Sequence, residues 1–151
     1  MIVYLALGTN LGDRHSNLQE ALSLIAGKIG SFSAVSSIYE TEPWGFESEN
    51  KFLNQVVAVE TDLSPFEILN RTQGIEQQIG RKEKTIRSYQ DRLIDIDLIL
   101  YGDAILNTEK LQLPHLLFHK RRFVLEPLNE IAPDLMHPVL GQRVAQLLRE
   151  L

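Results

Sequence analysis

The sequence predicts an α+β fold: a ferredoxin-like core, with a mostly antiparallel sheet and helices packed on it. Three observations carry that expectation. Strand-like and helix-like apolar spacings succeed one another in the order β-α-β-β-α-β. The length, 151 residues, suits one hydrophobic core. No internal repeat, low-complexity tract or Pro/Gly-rich linker interrupts the chain, so residues 1–151 are expected to form a single domain.

The elements follow in order. Ile2 to Leu7 reads as a buried strand that Gly8-Thr9-Asn10 breaks. From His15 onward, Leu18, Ala21, Leu22, Ile25 and Ile29 recur at helical spacing, and Gly27 and Gly30 mark the end. Ser33 to Tyr39 reads as one strand. Thr41 to Asn50, with Pro43, Trp44, Gly45 and Phe46, reads as a loop. Phe52 to Thr61 is the next strand, rich in β-branched residues. Ser64-Pro65-Phe66-Glu67 opens a helix: Ser64 is the N-cap, Pro65 the first helical residue, and Glu67 completes a capping box. Ile68, Leu69, Thr72, Ile75 and Ile79 form its apolar face, and Gly80 stops it. Arg81 to Gln90 is polar and basic and reads as a mobile loop. Leu93 to Tyr101 is the clearest strand in the chain. Pro114, Pro127, Pro133 and Pro138 then punctuate shorter pieces, with helix expected over Leu128–Ile131 and Val144–Leu148.

Composition excludes several classes. The net charge of −5 argues against a broad nucleic-acid-binding face. No cysteine occurs, which rules out disulfide frameworks, thiolate metal sites and cysteine nucleophiles, and fits a reducing compartment. No apolar run approaches the roughly 20 residues of a membrane helix, and Met1 to Leu7 reads as a strand instead of a signal peptide. A cytoplasmic monomer without nucleic-acid or membrane partners is expected.

The informative segment is Arg92-Leu93-Ile94-Asp95-Ile96-Asp97-Leu98-Ile99-Leu100-Tyr101. Alternation along a strand places Ile94, Ile96, Leu98 and Leu100 on one face. It places Leu93, Asp95, Asp97, Ile99 and Tyr101 on the other. Two carboxylates then project side by side about 6.5–7 Å apart. Their repulsion is about 2.5 kcal/mol at an effective dielectric near 20. A divalent metal between them would offset it, because Mg²⁺ is held by one or two carboxylates plus substrate phosphates. Two solvated aspartates on an exposed face would give the same pattern.

A metal–nucleotide site also needs cations. Arg81, Lys82, Lys84, Arg87 and Arg92 precede the acidic strand; His115, His119, Lys120, Arg121 and Arg122 form a second cluster. Arginine clamps phosphate bidentately and lysine acts as a point charge, although either cluster would equally keep a loop soluble. Neither a P-loop nor a G-x-G-x-x-G turn nor a kinase catalytic loop is present. Trp44, Phe46, Phe52, Asn54 and Phe123 supply aromatic faces and an amide that suit a planar heterocycle, unless Phe52 and Phe123 are ordinary core residues.

These motifs together resemble the 6-hydroxymethyl-7,8-dihydropterin pyrophosphokinase family of folate biosynthesis. The resemblance rests on Ala6-Leu7-Gly8-Thr9-Asn10-Leu11-Gly12-Asp13, Ser37-Ile38-Tyr39-Glu40-Thr41-Glu42-Pro43-Trp44-Gly45 and Phe52-Leu53-Asn54. It continues through Ile75-Glu76, Gly80-Arg81, Arg92 to Asp97, Leu113-Pro114-His115, Arg121 to Leu128, Ile131-Ala132-Pro133 and His137-Pro138. It implies that Asp95 and Asp97 bind two Mg²⁺ ions bridging the phosphates of ATP, the co-substrate. It implies that Phe52 and Phe123 sandwich the reduced pterin, and that Asn54, with backbone groups near Thr41, Glu42 and Trp44, reads its polar edge. Gln73, Glu76, Leu98, Lys110, Leu111 and His115 would line the ATP site, and Arg81, Lys84, Arg92 and Arg121 would meet phosphates. The family often has a basic residue where Glu83 stands, and Trp-Gly-Pro before the residue matching Arg92; Ser88-Tyr89-Gln90-Asp91 stands there instead.

The implied chemistry is attack of the pterin hydroxymethyl oxygen on the β-phosphorus of ATP, with AMP leaving. Phosphoryl transfer asks mainly for positioning and charge stabilisation. Arg81 and Arg92 are the expected catalytic donors, and Asp97 is the hypothetical base. Two other readings stay open from the residues alone: a ferredoxin-like ligand-binding module, and a nucleotidyltransferase, which would release pyrophosphate instead of AMP.

Overall fold

The structure, a computed structural model, describes residues 1–42, 51–80 and 93–151. The core strands are β1 (Ile2–Thr9), β2 (Ser31–Val35), β3 (Tyr39–Thr41), β4 (Phe52–Glu60) and β5 (Asp95–Tyr101). They lie in the order β2-β4-β1-β5, and β3 pairs with β4 beside β2. Every pairing is antiparallel. With β2 and β3 counted as one interrupted strand, the order is second, third, first, fourth, as the ferredoxin-like expectation requires.

The expected single strand over 33–39 is broken at Ser36 for a local reason. The Val56 N–H donates to the Ser36 hydroxyl (2.9 Å), where an unbroken ladder would offer a backbone carbonyl. The Ser36 carbonyl instead accepts from the Gln55 side chain (2.8 Å). A side chain has displaced a ladder bond, and β3 starts again three residues later.

Helices α1 (Arg14–Lys28) and α2 (Pro65–Gly80) cover one face of the sheet. Leu18, Ala21 and Ile25 of α1 and Ile68, Ile75 and Ile79 of α2 pack there against Val3, Leu5, Val57, Ile96 and Leu98. Each fully buried aliphatic side chain contributes about 1.5–3 kcal/mol relative to exposure. The capping box of α2 forms as read: Ser64 N donates to Glu67 Oε1 (3.0 Å) and Glu67 N to Ser64 Oγ (3.3 Å). In α1 the cap is Asp13, which accepts from Ser16 N (3.2 Å).

A short hairpin, β6 (Leu106–Asn107) and β7 (Gln112–Leu113), leads into a 3₁₀ turn over Phe118–Lys120. Helices α3 (Arg122–Ile131) and α4 (Val144–Arg149) cover the second face. There Val124, Leu125, Leu128, Val144 and Leu147 pack with Phe118 on Val56, Ile99 and Leu100. The expected piece over 128–131 is thus the last turn of a ten-residue helix that contains Pro127. Proline supplies no N–H to the preceding turn, yet burial of Val124, Leu125 and Leu128 holds the helix. Among the described residues, no helix is long and apolar enough to cross a membrane.

One register feature corrects the alternation read for the acidic strand. Tyr4 pairs with Leu100 and Leu5 with Leu98, so Ile99 is an extra residue in β5. The bulge puts Ile99 and Leu100 together on the α3 face. It turns Tyr101 to the α2 face, where its hydroxyl donates to the Leu63 carbonyl (2.7 Å). Leu93, expected beside the aspartates, belongs to the α1/α2 core instead. Asp95 and Asp97 precede the bulge and keep their shared face.

Candidate active site

The site begins as one row across three strands. Asn54 of β4 pairs with Gly8 of β1, and Gly8 pairs with Asp95 of β5. Strands lie about 4.8 Å apart, so an amide and a carboxylate stand about 10 Å apart with a glycine between them. A Cβ on Gly8 would lie 3.5 Å from both Asn54 Oδ1 and Phe52 Cδ1. The missing side chain therefore leaves a shallow floor bordered by that amide oxygen and that ring. In the next row of this face, Ala6 stands opposite Asp97, again a small residue beside a carboxylate.

On the β4 side, Asn54 is buried and its amide is fixed. Its Nδ2 donates to Thr41 Oγ1 (2.6 Å) and to the Tyr39 carbonyl (3.3 Å), which turns Oδ1 toward Gly8. Strand β3 is itself held from outside the sheet. The Tyr39 hydroxyl donates to Glu130 Oε1 of α3 (2.7 Å). With its proton committed to that carboxylate, the phenol is pushed up to about 12. On the opposite side of β3, Arg14 Nη1 donates to Glu40 Oε2 (3.1 Å) and to the Lys51 carbonyl (3.0 Å). Phe52 and Phe123 are both half-buried, and the Arg121 guanidinium lies 5.6 Å from the Phe123 ring centre.

On the β5 side, negative charge accumulates. Glu76 of α2 accepts from the backbone N–H of Ile96 (2.8 Å), the residue between the two aspartates. Burial pushes the Glu76 carboxyl up to about 8, helped by the charges of Asp95 and Asp97 and by a hydrogen bond with Asp95; the Ile96 N–H works against that rise. His115 faces the same group: burial, then the nearby Arg121 guanidinium, push its imidazole down to about 4, while Asp95 pulls the other way. Its Nδ1 accepts from Leu117 N (3.3 Å), so the neutral ring carries its proton on Nε2.

Asp95, Asp97, Glu76, His115 and Arg121 thus share one electrostatic neighbourhood. Among the described residues, no group of three or more potential ligands gathers around a metal position. Paired carboxylates beside an acid that burial, and secondarily their own field, pushes up still suit a hard cation that completes its shell with phosphate oxygens and water.

Other predicted residues lie elsewhere. Leu98 and Leu111 are buried in the α1/α2 core. Gln73 and Lys110 are exposed. Glu42 is exposed and pairs with Lys51 (3.5 Å). Trp44, Phe46, Arg81, Lys84 and Arg92, with the loop over 81–90, lie outside the described residues. Gly8, Tyr39, Arg14 and Glu130 received no individual role from sequence. Gly8 was legible only as a strand break, and the other three gain meaning from contacts 26 to 91 residues away in the chain.

The fold and this face define a class: a ferredoxin-like domain with an acidic strand set against a small polar and aromatic surface. Comparison with known proteins narrows it. Residues 4–133 match the family described as 7,8-dihydro-6-hydroxymethylpterin-pyrophosphokinase (HPPK). A 2-amino-4-hydroxy-6-hydroxymethyldihydropteridine pyrophosphokinase of Porphyromonas gingivalis is 48% identical over 139 residues, covering 91% of this chain and 94% of the relative. The Aquifex aeolicus protein of the same name is 39% identical over 137 residues, covering 91% and 84%. The solved Plasmodium falciparum HPPK-DHPS wild type superposes with a TM-score of 0.77 at 19% identity, covering 99% of this chain. The chain spans only 43% of that fused protein, and the likeness shows the fold alone. The chain belongs to the HPPK family and is a pyrophosphokinase of folate biosynthesis.

Proposed function

We propose that this pyrophosphokinase transfers the β,γ-diphosphate of ATP to the hydroxymethyl oxygen of a reduced 6-hydroxymethylpterin, with Mg²⁺, and releases AMP. The observation that carries the reading is the row Asn54–Gly8–Asp95. It sets a group able to read a heterocycle's polar edge about 10 Å from the carboxylates, roughly a bicyclic ring plus its substituent.

Each residue then has a task. Phe52 and Phe123 hold the ring by stacking. Asn54 Oδ1, fixed by Thr41 and Tyr39, accepts from a ring N–H. Gly8 lets the ring lie against the backbone. Asp95 and Asp97 hold the metal, which when bound offsets charge on the phosphates. Glu76 holds the strand between them by its bond to Ile96 N. His115 presents Nε2–H, and Arg121 a guanidinium, as donors toward phosphate oxygens. Arg81, Lys84 and Arg92 remain proposed phosphate ligands on the strength of the family resemblance, as do two metal ions. Asp97 is the proposed acceptor of the hydroxymethyl proton.

The test is incubation with ATP, Mg²⁺ and 6-hydroxymethyl-7,8-dihydropterin, with chromatographic identification of the nucleotide. AMP that appears only when both pterin and Mg²⁺ are present is the expected result. Pyrophosphate in place of AMP would assign a nucleotidyltransferase, and no nucleotide product from folded protein would refute the reading.

A further inference from the structure

Helix α3 carries Phe123 near its first turn and Glu130 near its last. Seven positions separate them, so they lie on the same side of the helix. Phe123 is the proposed far wall of the pterin slot. The near wall, Thr41 with Phe52 and Asn54, belongs to β3 and β4. Strand β3 is short, with only three register pairs to β4: Tyr39↔Asn54, Glu40↔Leu53 and Thr41↔Phe52. Its first residue, Tyr39, and Ser37 just before the strand are gripped by one side chain. Both Glu130 oxygens accept from Ser37 N (3.0 Å each), Oε2 also accepts from Ser37 Oγ (3.0 Å), and Oε1 accepts from Tyr39 OH (2.7 Å).

We propose that Glu130 is a positioning residue for pterin recognition, a strut from α3 to β3 that sets the spacing between Phe123 and the wall of Thr41, Phe52 and Asn54. Several bonds on one exposed carboxylate resist solvent better than a lone surface pair, because they share a single ordered geometry. The strut acts two residues from Thr41, whose hydroxyl takes the shortest of the bonds that fix Asn54. Arg14 braces β3 from the α1 side through Glu40. Losing Glu130 therefore loosens the recognition wall and leaves Asp95, Asp97 and Glu76 on β5 and α2 untouched.

The inference rests on the proposed function, and its test separates the two. KM for pterin, KM for ATP and kcat are measured for wild type, Glu130→Ala, Glu130→Gln and Tyr39→Phe. Hydrogen exchange at Ser37 and fluorescence titration with the pterin are followed in parallel. Glu130→Ala should raise KM for pterin at least about tenfold, the ratio equivalent to ~1.4 kcal/mol. KM for ATP should stay within about twofold, and Ser37 exchange should accelerate. Glu130→Gln keeps an acceptor for Ser37 and should recover part of the loss; Tyr39→Phe removes one bond and should fall between. A wild-type pterin KM in Glu130→Ala, or equal losses for pterin and ATP, would overturn the strut. If the wild type bound pterin without forming AMP, the functional reading would fail while the fluorescence titration still judged the strut. If it bound no pterin, both would fall.

Discussion

Glu76 offers the sharpest quantitative test, because its environment forces a pH dependence of stability whose sign is opposite to that of an ion-paired carboxylate. Unfolded, it titrates near 4.5; folded, burial and the Asp95 and Asp97 charges hold its proton up to about 8. The folded state therefore binds the proton more tightly, and stability present at low pH is lost as pH rises from 4.5 through 8. His115, pushed down to about 4, runs the other way: its contribution is present above 6.5 and lost as pH falls through 4. The two oppose each other below 6.5. Above 6.5 Glu76 titrates alone of the pair, which makes 6.5 to 9 the window to use. The limiting slope is 1.36 kcal/mol per pH unit, so about 2 kcal/mol is the ceiling between 6.5 and 8. Partial solvent access reduces that to about 1 kcal/mol. Glu76→Gln mimics the protonated acid: its amide oxygen still accepts from Ile96 N, and its NH₂ faces Asp95. Urea unfolding in EDTA should show wild type losing about 1 kcal/mol more stability than the variant between pH 6.5 and pH 9. Taking the difference cancels other titrations common to both. Parallel curves across that window would refute the idea that the acidic strand holds a buried proton. Added Mg²⁺ should flatten the wild-type slope, because an opposite charge favours ionised Glu76.

Further outcomes follow from the same geometry. Asp95→Ala and Asp97→Ala should each lower kcat by at least about 100-fold, with unfolding transitions near wild type because neither side chain packs in the core; an active Asp97→Ala would remove that residue as base. Gly8→Ala puts a methyl in ordinary contact with Asn54 and Phe52, so it should fold within about 1 kcal/mol of wild type yet bind pterin more weakly in fluorescence titration. Gly30→Ala is the contrasting case: its Cβ would lie 2.0 Å from the Glu60 carbonyl, and thermal unfolding should report a loss of about 2–4 kcal/mol. His115→Gln should gain stability relative to wild type as pH falls from 6.5 to 4, because it removes the cost of charging the buried imidazole, seen by urea titration of both proteins at each pH.

What was legible in the sequence, and what was not, divides along physical lines. Period and caps are local, so the strands, the α2 capping box and the shared face of Asp95 and Asp97 could be read directly. The Ile99 bulge could not, because nothing in Leu98-Ile99-Leu100 distinguishes an aliphatic residue that alternates from one that does not; the register with Tyr4 and Leu5 decides it. Ser36 was likewise an ordinary strand residue until its hydroxyl met the Val56 N–H. Pro127 was read as punctuation because the sequence does not show how firmly its neighbours are buried.

The site divides in the same way. Asp95 and Asp97 are two residues apart and announce themselves, whereas Gly8 acquires its meaning only between Asn54 and Asp95, from strands 46 and 87 positions further along the chain. A glycine at the end of a strand reads as a stop when only the chain is known. Placed centrally in a row of three strands, it is the position where a planar ligand can touch backbone, and any side chain there would compete with that ligand for the floor. The proposed recognition surface is therefore defined as much by the atoms that Gly8 and Ala6 lack as by the groups that Asn54 and the aspartates supply. Substitutions at those small residues should for this reason separate ligand affinity from stability more cleanly than substitutions at the charged ones.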